Sequence, residues 1–184
     1  GKRDDGANLI DEWLSRGPGR EYVWNRQDFL ALMEKRAGST DTERQFMGLF
    51  EPSHMQFEAD RANDPAGEPS LLEMTQFALA EMQKSDQGYF LLIEAGRIDH
   101  AHHGSNARRA LVDTVAMSEA VQWAVDNVDL EETLILVTAD HSHTMTISGY
   151  PRRGNPILGL VESQPGKPIK DATGLPYTTL SYAN

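Results

Sequence analysis

Cysteine is absent from the 184 residues. That excludes disulfides and thiolate zinc sites, so any bound metal must be held by His, Asp and Glu. Long apolar runs are missing too: no stretch approaches the ~20 residues of a membrane-spanning helix. The chain opens Gly1-Lys2-Arg3-Asp4-Asp5, without the apolar core of a secretory signal. Mature secreted proteins, cytosolic proteins and internal fragments share such an opening. Positive charge is scarce, with 17 Lys and Arg against 28 Asp and Glu for a formal charge of -11. This balance disfavours nucleic acid and anionic membranes as partners and suits solubility or cation binding. No internal repeat is visible.

What is present reads as one domain, or part of a larger one, rich in loops. Hydrophobic residues make up 39%, and nine prolines and fifteen glycines punctuate the chain. The apolar residues gather in periodic segments, which argues for a fold rather than disorder. Helical spacing marks Asn8 to Arg16, Arg26 to Arg36 and Leu71 to about Lys84; Asn106 is placed to cap a long helix running to Asn127. Tyr22-Val23-Trp24 and Gln45 to Phe50 read as short strands. Between them and the third helix, residues 51–70 form a long polar loop with three prolines, and long ordered loops are usually functional or tied down.

Two uninterrupted apolar runs, Tyr89 to Ile93 and Thr133 to Thr138, have the length and composition of parallel strands buried on both faces. Strand, helix, strand with short joins predicts a βαβ unit and an α/β fold with a parallel sheet. A chemistry-bearing cluster follows each run directly. The first spans Glu94 to Gly104 and the second Thr138 to His143. Ligands of open α/β sheets bind beyond the carboxyl ends of the strands, so both clusters are expected at one site.

Five of the six histidines fall in these clusters, beside Glu94, Asp99 and Asp140. Carboxylates with neutral imidazoles and no thiols are the ligands of hydrolytic zinc. Asp99 and His103, four apart, share a face if the loop enters a helical turn there. Asp140 and His141 are adjacent and need a turn to act together. Glu94, an oxygen ligand at a strand end, suits magnesium. A single Asp-His pair is more often a surface feature, and excess histidine also suits nickel or a structural role; spacing by itself leaves these open. Ser142, flanked by His141 and His143, reads as a loop residue rather than a nucleophile, because sequence neighbours rarely align as serine and base.

At these residues the sequence resembles a known family. Glu94-Ala-Gly-Arg-Ile-Asp99-His100-Ala-His-His103 and Val137-Thr-Ala-Asp140-His141-Ser-His143 closely resemble the metal-site motifs of alkaline phosphatases. Tyr22-Val-Trp-Asn-Arg26, Met47-Gly-Leu-Phe-Glu-Pro52 and Gly149-Tyr-Pro-Arg-Arg-Gly154 look like the same family, closer to its animal-type branch than to the enteric bacterial type. The resemblance implies a mostly parallel sheet sandwiched by helices, of which residues 1–184 form a single partial core domain. It implies two zinc ions, one held by Asp99 and His103 and the other by Asp140 and His141, with Glu94 on a magnesium. His100 takes a position on the phosphate side. A calcium site in animal-type members implies the Phe50 carbonyl, Glu51 and, before Pro69-Ser70-Leu71, Glu68; the intervening loop is slightly longer here.

The implied activity is hydrolysis of phosphate monoesters at alkaline pH through a phosphoserine, releasing inorganic phosphate. The implied setting is an extracytoplasmic homodimer. Departures matter as well. The family's nucleophilic serine sits in an Asp-Ser-Ala tripeptide that does not occur here, and its first zinc takes a further histidine from a later segment. The chain therefore corresponds to a central section of the enzyme. The alternatives are a catalytically inert metal-binding protein and a phosphodiesterase or sulfatase of the same superfamily. Residues 1–184 alone are expected to be poorly soluble, because isolated sheet edges invite aggregation.

Overall fold

A computed structural model describes residues 3–183. Two units emerge, one of residues 1–95 with 115–135, the other of residues 96–114 with 136–184. The first unit opens with helix α1 (Leu9–Ser15), strand β1 (Arg20–Val23), helix α2 (Arg26–Arg36) and strand β2 (Gln45–Gly48). Local chemistry starts each helix. The Asn8 side chain accepts the Ile10 and Asp11 N–H groups, and Asn25 accepts that of Asp28. Helix α3 (Leu71–Met82) begins at a reciprocal capping box between Ser70 and Glu73.

β1 and β2 pair in parallel, with Tyr22 opposite Met47. The core of this unit forms beside that pair. Val23, Phe29 and Leu32 are buried, with Phe46, Phe50, Met74 and Phe77 packed around them. Phe29 meets Phe50 at 5.7 Å and Phe77 at 5.4 Å between ring centroids, both edge-on. Such pairs add about 0.5–1.5 kcal/mol each beyond area burial. Buried Arg36 lies on Glu81 at 2.9 Å, so its charge is paired where it leaves water. The 51–70 loop is tied at several points. A short 3-10 turn covers Arg61–Asn63, and the Arg26 N–H donates to the Gly67 carbonyl at 2.8 Å.

In the second unit, helix α4 (Arg97–His103) leads through Gly104 to helix α5 (Ala107–Asn127), whose later turns belong to the first unit. The Asn106 side chain accepts the Arg109 N–H at 3.1 Å, the expected cap. The Gly/Pro-rich stretch after Gly149 carries more order than its composition suggests. β3 (Met145–Ile147) pairs antiparallel with β6 (Leu180–Tyr182), and β4 (Glu162–Gln164) pairs with β5 (Lys167–Pro168). Fully buried Val161 packs against Gly149, whose φ of +73° and lack of a Cβ are both needed: a Cβ there would lie 2.9 Å from the Val161 side chain.

One expectation needs correction. Tyr89–Ile93 and Thr133–Thr138 take part in no ladder among the described residues, and the βαβ sheet expected from them is not formed. The apolar side chains are correspondingly open to solvent: Phe90 is 87%, Leu92 79%, Leu134 80% and Leu136 81% exposed. A doubly buried strand needs neighbours on both edges and cover on both faces. A local apolar run states that need without supplying the partners. Among the described residues no helix is long and apolar enough to cross a membrane.

Candidate metal centre

Helix α4 carries the first half of the centre. Ala101 on its inner face is buried, which turns Asp99 and His103, four residues apart, outward on a common face. The segment after Thr138 carries the second half and bends at Asp140. The two halves meet at one atom. Oδ1 of Asp99 lies 2.8 Å from Nε2 of His143, 3.4 Å from Nε2 of His103 and 3.7 Å from Nε2 of His141. The first distance is a hydrogen bond; the other two are longer than one, leaving those ring nitrogens close to the carboxylate without consuming it. Nε2 of His141 also lies 3.4 Å from Oδ2 of Asp140.

Asp99, His103 and His143 each offer a donor atom within 4.8 Å of the others. The expected pairs, Asp99 with His103 and Asp140 with His141, are thus each side by side, and His141 stands between the two carboxylates. Asp140 is 87% exposed at its side chain. Glu94 is exposed in the first unit and belongs to neither donor group of the described residues. His100 turns to Arg97, whose guanidinium lies 2.9 Å from its Nδ1.

Electrostatics keep the carboxylate ready. The hydrogen bond from His143 holds Asp99 below the ordinary carboxylate range, with His103 and His141 adding to the effect. His102 is pushed below the ordinary histidine range, first by burial and then by His143 beside it. It stacks on His143 at 4.8 Å, and its Nδ1 is 2.9 Å from the Tyr182 hydroxyl. Mixed oxygen and nitrogen donors without sulfur fit zinc.

His143 belongs to the second motif but to neither expected ligand pair, and its contact with Asp99 is a finding of the structure. Its signal was its place two residues beyond His141, because in extended backbone i and i+2 lie on the same side.

A second donor group sits in the first unit. Glu51, Asp64 and Glu68 each place a carboxylate oxygen within 4.8 Å of the others. Glu68 is 1% exposed. Its Oε1 accepts the Gln56 N–H at 2.6 Å, and burial pushes its carboxyl above the ordinary range. Phe50, whose ring packs edge-on against Phe29, fixes the backbone immediately before Glu51. An all-oxygen set of this kind fits a hard cation such as calcium.

The family model described as "Alkaline phosphatase" matches residues 1–184. The chain is 41% identical over 188 residues to a membrane-bound alkaline phosphatase of Bombyx mori, covering all of this chain and 32% of that protein. It is 42% identical to the tissue-nonspecific alkaline phosphatase isozyme of Rattus norvegicus and 41% to that of Gallus gallus, covering 33% and 34% of them. The chain thus spans about a third of the length of the curated relatives it matches. A family-model match that runs from end to end, with relatives about 41% identical over the whole chain, makes this chain a member of the alkaline phosphatase family.

Proposed function

We propose that this chain is the central part of a metal-dependent phosphate monoester hydrolase working at alkaline pH. The observation that carries the reading is the convergence of three imidazole nitrogens on Oδ1 of Asp99, within 2.8–3.7 Å. In a segment of this family, that donor set is suited to zinc. Asp99 and His103 would hold one zinc, Asp140 and His141 the other, with Glu94 on a magnesium and His100 toward the phosphate. Phe50, Glu51 and Glu68 would hold a calcium. When bound, the zinc pair supplies positive charge that polarises a phosphoryl oxygen and favours deprotonation of the attacking group.

The chain's own side chains do the positioning. Asp99, held ionised by its hydrogen bond from His143, presents a fixed anionic oxygen. His102 is biased toward the neutral form by burial and packs its face on His143, which limits the swing of that ring. The nucleophile, a serine by family, lies outside these residues. The intact protein is read as an extracytoplasmic homodimer, in keeping with a relative described as membrane-bound.

The test is hydrolysis of p-nitrophenyl phosphate by the intact zinc-loaded protein, against bis-p-nitrophenyl phosphate and p-nitrophenyl sulfate. The monoester is expected to be favoured by at least about 100-fold in kcat/KM, or about 2.7 kcal/mol of transition-state discrimination. Chelation of zinc should abolish the activity. Preference for the diester or sulfate would move the protein to a sister activity, and no turnover in a zinc-loaded protein would mark it as inert.

A further inference from the structure

We propose that Asp64 is a third carboxylate ligand of the cation held by Glu51 and Glu68, making the loop a three-carboxylate calcium site. The proposal rests on the calcium reading above and adds a residue that the family resemblance does not supply.

Four observations support it. One carboxylate oxygen from each of the three residues lies within 4.8 Å of the others. Like charges that close repel unless protonated or bridged by a cation. Glu68 is 1% exposed, and its Oε2 is buried with no hydrogen-bond partner among the described residues. Asp64 Oδ2 is buried in the same unpartnered state.

The third observation is how the loop uses the remaining oxygens. Oδ1 of Asp64 accepts the Ala66 N–H at 3.4 Å, Oε1 of Glu68 accepts that of Gln56 at 2.6 Å, and Oε1 of Glu51 accepts the Gln56 side-chain amide at 3.1 Å. Each carboxylate is oriented through one oxygen. Those of Asp64 and Glu68 keep the other in reserve, as a second hydrogen-bonding shell does for metal ligands. The fourth is the nearby cation. Arg61 is engaged with Glu58 at 2.7 Å and reaches Glu68 through its backbone carbonyl at 3.4 Å. A buried oxygen of Glu68 with no partner is the kind of group that an ion normally satisfies.

Charge and hardness specify the ligand class. Three carboxylates with no nitrogen or sulfur suit calcium rather than zinc, and ligands from an irregular loop fit the larger, less regular calcium shell better than the strict octahedron of magnesium. A cation there would join the exit of β2, the turn at Arg61–Asn63 and the start of α3. The loop would then owe its order partly to the ion.

The test is calcium binding to the intact zinc-loaded protein, by equilibrium dialysis with calcium chloride, for the wild type, Asp64→Asn, Asp64→Ser and Glu68→Gln. Retained zinc content reports an intact fold for each variant. Glu68→Gln is expected to abolish binding. Both Asp64 variants are expected to weaken it at least about tenfold, as loss of one charged ligand does in calcium loops, and to speed proteolysis within residues 51–70 at limiting calcium. Wild-type calcium affinity in both Asp64 variants, with binding lost in Glu68→Gln, would overturn the role of Asp64 and leave the calcium site standing. No calcium bound by the wild type would overturn both.

Discussion

The two donor groups of this chain differ in backbone, chemistry and burial. The zinc-type group hangs from a helix and a bent segment, mixes imidazole with carboxylate and stays partly open to water. Its hub, Asp99, is 36% exposed at the side chain. The calcium-type group hangs from a loop, is all carboxylate, and contains Glu68 at 1% exposure. An exposed mixed site can exchange a ligand position with water or substrate, whereas a buried oxygen site is better suited to fastening a loop. The same contrast explains why burial raises the Glu68 carboxyl while hydrogen bonding lowers that of Asp99.

The largest effect should come from the core beneath the acidic group. Phe29→Ala removes the ring that meets both Phe50 and Phe77. It is expected to cost about 3–5 kcal/mol in urea unfolding. Loss of calcium binding should accompany it, since Phe50 precedes Glu51. A cost below about 1 kcal/mol would mean that this cluster does not organise the loop.

Next comes a pair of substitutions that separates a ligand from its support. Asp99→Ala should weaken zinc binding more than about 100-fold, and His143→Ala by about tenfold, the range seen when a supporting partner is removed. Competition with a chromophoric chelator measures both. Equal losses would make His143 a ligand in its own right, and no loss in Asp99→Ala would remove the hub of the site.

The smallest effect is in pH dependence, where half-buried Glu81 and buried Glu68 should pull in opposite directions. Burial raises Glu81, but the hydrogen bonds from Arg36 and Lys84 outweigh it and leave its carboxyl below the ordinary range. Its contribution is therefore present above the ordinary carboxylate value and lost as pH falls through the lowered one. Glu68 is raised, so without calcium it binds its proton more tightly folded than unfolded. Stability then falls as pH climbs from the ordinary value through the raised one. Melting temperatures of Glu68→Gln and the wild type in calcium-free buffer should converge at acid pH and diverge near neutrality, with the variant higher. The opposite order would contradict the assignment of a buried carboxylate whose Oε2 has no hydrogen-bond partner.

The parts of this molecule that could be read from residues alone are those built from near neighbours. Asp99 and His103 follow from i,i+4 geometry once Ala101 is buried, and the caps at Asn25, Ser70 and Asn106 follow from side chains that reach only two or three residues. Segments that depend on distant partners were less readable. Tyr89–Ile93 has the composition of a central strand yet pairs with nothing among the described residues, because composition records the environment a strand requires and not the neighbours present. His143 and Asp64 fall in a third class. Each is brought into its group by the path of irregular backbone, and no periodicity describes such a path. Only the alternation of His141 and His143 left a trace in the sequence.

The most direct measurement is zinc K-edge X-ray absorption on the intact protein loaded with one and then two equivalents of zinc. Expected is a light-atom first shell of nitrogen and oxygen near 2.0–2.1 Å, with outer-shell scattering from imidazole rings that diminishes in Asp99→Ala and His141→Ala. A shell of oxygen alone, unchanged by either substitution, would show that zinc binds elsewhere and that the meeting of α4 with the segment after Thr138 is not a metal centre.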